Sequence, residues 1–190
     1  MTVPAPGVAG RYGMRVRTPE LPMAFTWGEF ARGAGFAWLA FQLVFPLSYP
    51  VMSIVVALSS PDPFESVKSA VGWALLVVMM SFLYALPWSI GALLLIGGPA
   101  AWGLGLGLRR VASLRVHLVA FALLGAVVGA VVAWIAGTIM SMGASATVFA
   151  IDAAVVTGAS VAYGWRRTAR RALADDARLI GHAPDGEWRA

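Results

Sequence analysis

The chain contains no cysteine. That excludes disulfides, thiolate metal sites and a cysteine nucleophile, and it leaves the redox compartment open. Charge is also scarce, at 12% of 190 residues, where a soluble domain carries about a quarter. Histidine is nearly absent. His117 and His182 are far apart, with no acid or second histidine at helical ligand spacing, so no metal or other cofactor is expected. No serine sits in a nucleophile elbow or beside a paired base, so no enzyme activity is expected. Lysine is reduced to Lys68 alone among fourteen basic residues. With abundant Ala and Gly, this arginine bias reads as GC-rich bacterial coding.

What the chain has instead is apolar sequence. Hydrophobic residues make up 59% of it and gather in four long runs. A run of about 20 apolar residues crosses a bilayer core. The expected fold is therefore an all-α integral membrane protein with four transmembrane helices over about 34–58, 71–96, 114–139 and 146–165. These form one transmembrane domain, 26–165. Residues 1–25, with Arg11, Arg15 and Arg17, read as a disordered basic N-terminal arm, and 166–190 as a cytoplasmic basic helix and tail. The first apolar run starts too late and is too long for a cleaved signal peptide.

Local signals fix several boundaries. Thr26-Trp-Gly-Glu29 has the form of a capping box, so a helix starts there. Its first turns either lie at the interface or already belong to the first span. Pro46 and Pro50 bend that span. Asp62-Pro63 reads as a cap followed by proline at the first helical position. Gly97-Gly98-Pro99 reads as a helix stop. Behind it, Gly103, Gly105 and Gly107 resemble a flexible interfacial segment. A phosphate loop is not expected, since no strand precedes it and no Walker lysine follows. Gly181 reads as the stop of the last helix.

Arg32, Arg109, Arg110, Arg115, Arg166, Arg167, Arg170 and Arg171 fall on one side of these spans, and Lys68 on the other. The positive-inside rule then puts both termini in the cytoplasm and the protein in the plasma membrane. The net charge of +5 is thus a topology signal, and nucleic acid is not an expected partner. Arg166, Arg167, Arg170 and Arg171 are expected to anchor topology or to meet anionic lipid headgroups, worth about 1 kcal/mol each.

The last two spans carry small residues at every fourth position. Gly125, Gly129, Ala133 and Gly137 form one ridge; Ala146, Ala150, Ala154, Gly158 and Ala162 form the other. Such ridges let backbones approach closely in lipid, so a tight antiparallel hairpin is expected, or a homo-oligomer built on the same ridge.

One acid, Asp152, lies within the last span, about 10 Å along it. Burying a charge at that depth costs about 2.5–3.5 kcal/mol on insertion scales. At 100° per residue it points away from the Ala154 ridge, toward the first hairpin, a partner or lipid. Tyr49, Ser53 and Ser81 are its expected hydroxyl donors. Two functional readings follow. One is a non-catalytic scaffold, accessory subunit or assembly factor, with lipid and a membrane protein as partners. The other is a small oligomeric transporter or channel with Asp152 as a proton or cation site. No inverted repeat relates the halves, which weakens an alternating-access mechanism.

Overall fold

The computed structural model describes residues 21–181, apart from the side chains of Tyr49 and of residues 176–181. The described chain is almost wholly helical and holds no strand. Its elements are α1 (Trp27–Leu58), α2 (Pro63–Ala92), a π-helical turn (Leu93–Gly97), α3 (Gly98–Leu108), α4 (Leu114–Ile139) and α5 (Ser145–Gly181). Four helical stretches are long and apolar enough to cross a membrane: α1, the continuous rod from Pro63 to Leu108, α4, and α5 as far as Asp175. Arg11, Arg15, Arg17, His182 and Pro184 lie outside the described residues.

The helix starts follow the chemistry of their caps. Thr26 Oγ1 accepts from the Glu29 amide at 3.2 Å, and Glu29 Oε2 accepts from the Thr26 amide at 2.8 Å. Both halves of the capping box are made. Asp62 caps α2, accepting from the Glu65 amide at 3.4 Å with Pro63 following it. Pro46 and Pro50 both sit inside α1, which continues through them. A proline there removes one backbone bond and leaves the carbonyl four residues earlier without its donor.

Two local expectations are corrected. Gly97-Gly98-Pro99 does not end a helix. The rod passes through it on a π turn, in which the Gly98 amide reaches the Leu93 carbonyl five residues back. Pro99, at the start of α3, needs no amide donor there. Gly98 is what the wide turn demands, since a Cβ on it would lie 2.6 Å from the Leu93 oxygen. The glycines beyond are helical as well, not a flexible segment. The second correction concerns residues 21–25, expected as the end of a loose arm. They are docked. The Met23 amide donates to the Arg109 carbonyl at 3.2 Å, and Met23 is buried. Phe25 packs edge-on against Trp102 and Trp165, at 5.2 and 5.8 Å. Gly105 makes the room, because a Cβ there would strike the Phe25 ring.

The interior is built mainly from α1, α4 and α5. Glycines of α4 face α5 in reverse order along the chain: Gly137 against Ala146, Gly129 against Ala153 and Thr157, Gly125 against Thr157 and Val161. Gly158 of α5 answers, seated on Ala122 and Ala126. Gly164 of α5 meets Gly33 and Ala37 of α1. By contrast α2 packs chiefly on α1 and leaves most of its apolar surface uncovered, including Leu75, Met79 and Leu83. The connection from α4 to α5 is tight. Ser141 and Gly143 take positive φ, 56° and 58°. The Met142 amide reaches back to the Gly137 carbonyl at 2.9 Å, closing the end of α4.

Candidate functional site

Asp152 lies on the face of α5 that meets α1. It is 5% exposed, and its Oδ2 accepts from Ser48 Oγ at 2.9 Å. Ser48 Oγ stands equally close to the Phe45 carbonyl, so its single proton is shared between two acceptors. Phe41, Phe45 and Ser48 share a face of α1, following helical spacing. Phe45 meets Phe149 of α5 edge to face at 5.4 Å, one turn before Asp152. The acid is thus enclosed by an aromatic contact on one side and a hydroxyl on the other.

The partner hydroxyl was not among those expected. Ser48 stands one residue from Tyr49, a rotation of about 100°. Ser48 lies between Pro46 and Pro50, both inside the helix. The repeat of Phe41, Phe45 and Ser48 at helical spacing was the available signal. The side chain of Tyr49 is outside the described residues. Ser53 is half-buried and takes part in an interaction of its own. Ser81, on α2, lines a cavity and not the carboxylate.

The small-residue positions fall as follows. Gly125, Gly129, Ala133 and Gly137 are all buried on α4. On α5, Ala146, Ala150 and Gly158 are buried, while Ala154 and Ala162 are half-buried. A second buried line on α5 runs through Ala153, Ser160 and Gly164. Sequence spacing had marked one ridge on α5, and the helix in fact uses two, because it packs on α4 and α1 at once.

The four arginines divide. Arg167 and Arg171 set their guanidinium groups over the Phe36 ring, at 4.5 and 5.4 Å. Arg167 Nη1 also donates to Tyr163 Oη at 2.6 Å, and its Nε is buried without a partner. Arg166 and Arg170 are exposed. Near this end His117 is fully buried, its Nδ1 3.0 Å from the Ser113 carbonyl and its ring parallel to Trp165 at 5.5 Å. That contact assigns the proton to Nδ1, leaving Nε2 buried without a partner. Among the described residues no group of three His, Cys, Asp or Glu could hold a metal ion.

A second feature lies beside this site. A cavity of about 420 Å³ runs along α4 from Phe121 to Met140. Its walls come from α1, α2, the π turn, α3, α4 and α5 and are almost wholly apolar. Neither Asp152 nor Ser48 lines it. Comparison with protein-family models, with curated proteins and with solved structures gave no match.

Proposed function

We propose that this is a four-span protein of the bacterial plasma membrane, with both termini cytoplasmic, acting as a non-catalytic scaffold, accessory subunit or assembly factor. The reading rests above all on Asp152. A transport site needs a polar route to its acid. Here the acid is buried between two helices and cross-tied to Ser48, while the cavity beside it is apolar and is lined by neither residue. An acid so held fixes how α5 sits on α1, at the cost of its desolvation.

Supporting the topology, Arg32, Arg109, Arg110, Arg115 and the α5 arginines gather at one set of helix ends, with Lys68 at the other. The reversed order of glycine contacts between α4 and α5 supports a tight antiparallel hairpin. The uncovered face of α2 offers apolar surface to lipid or to a partner helix.

Purification in mild detergent, with co-purifying membrane proteins identified, tests the function. A stoichiometric membrane partner is the expected result. A cation or proton flux in proteoliposomes that Asp152→Asn abolishes would establish the transporter reading instead. A reporter fused after Ala190 is expected to be active only in the cytoplasm.

A further inference from the structure

We propose that the cavity along α4 holds one acyl chain of a bilayer phospholipid, as a resident lipid site. The proposal rests on the membrane-spanning reading above. Three observations carry it.

The first is size. The cavity's lining follows α4 from Phe121 to Met140, just past its end, so the space lies within the depth of a bilayer core. Its volume, about 420 Å³, is in the range of ligand sites.

The second is the wall. Phe41, Phe45, Val128, Val132 and Phe149 present only hydrocarbon. Water does not fill a space lined this way, and an empty one forfeits dispersion contacts along its whole surface. At this depth in a membrane, the apolar matter at hand is the lipid tail. The weak engagement of α2 leaves a side from which a tail can enter.

The third is charge. Trp165 lines the cavity at its arginine-bearing end, where Arg166 and Arg170 are exposed. Guanidinium groups at that end complement the phosphate at the head of an acyl chain. This orients the lipid with its headgroup toward Arg166 and its tail toward Met140, as a lipid of the cytoplasmic leaflet.

Native mass spectrometry of the whole chain, taken from membranes into mild detergent, tests the site. The expected spectrum shows one phospholipid per chain surviving activation that strips loosely held lipid. Val128→Trp fills the cavity and is expected to lower that occupancy at least tenfold. Val127→Trp adds the same bulk to the exposed neighbouring face and is expected to leave it unchanged. If Val128→Trp does not give a folded, monodisperse protein, Ala101→Leu, also in the wall, takes its place. Equal retention by the filled variant and the Val127→Trp control overturns the proposal. So does a wild type that carries no tightly held phospholipid. A chain released from membranes by alkaline carbonate would overturn the membrane reading itself. An integral chain without the adduct overturns the lipid site alone.

Discussion

Gly129→Ala probes a close approach of α4 to α5. A methyl group at this position would lie 2.6 Å from Thr157 Oγ1, 2.7 Å from the Ala153 carbonyl and 2.8 Å from Thr157 Cβ. Ordinary contact begins at 3.4 Å. The Thr157 hydroxyl belongs to a side chain, but the Ala153 oxygen is backbone and moves only with α5. The two helices must therefore part by some tenths of an ångström along their whole seam. Overpacking of this kind costs about 1–3 kcal/mol. Against it stands the helical gain of alanine over glycine, up to about 1 kcal/mol. Gly91→Ala is the reference. Nothing lies within 4 Å of its added Cβ, so it reports the helical gain alone. The difference between the two variants gives the clash, about 1–3 kcal/mol. At about 2–4 °C per kcal/mol for a chain of this size, Gly129→Ala should melt roughly 2–12 °C below Gly91→Ala in the same detergent. Adding Thr157→Ala removes the hydroxyl but not the backbone oxygen, so rescue should be partial. Equal melting temperatures for the two glycine variants would refute the seam described here.

Ser48→Ala leaves the Asp152 carboxyl without its hydroxyl donor and should cost about 1–3 kcal/mol. The combined Ser48→Ala, Asp152→Ala variant should lose less than the two singles together, as a double-mutant cycle of melting temperatures would show. Ser141→Gly relieves a left-handed residue at φ 56° and should raise the melting point by the equivalent of about 1 kcal/mol. Gly143→Ala, at φ 58°, should lower it by a similar amount. Gly105→Val should expel Phe25 from its place against Trp102 and Trp165, read as a changed tryptophan emission and as new protease sensitivity near Met23.

The features legible in the sequence are those set by local chemistry. Thr26 and Glu29 sit three apart and satisfy each other's amides, so the start of α1 needs no knowledge of the rest. The buried glycines of α4 announce themselves by spacing. What stayed hidden depends on contacts between distant segments. Gly97-Gly98-Pro99 carries every sign of a stop, yet a π turn uses the missing Cβ of Gly98 and the missing amide of Pro99 to keep the rod going. Phe25 looks like part of a polar arm until Gly105, eighty residues on, supplies its seat. Ser48 and Tyr49 are neighbours, and spacing alone does not decide which of them α5 meets. The cavity left no trace in the sequence, since it is a shape made by elements far apart along the chain.

The bond between Ser48 and Asp152 joins residues 104 positions apart. At about 5–20 residues per second of synthesis, the hydroxyl waits roughly 5–20 s for its carboxylate. During that interval α1 has only α2 beside it, because the helix that covers its inner face is the last to emerge. Among the described helices, the last to be made thus closes a face of α1 that has stood open since that helix was made.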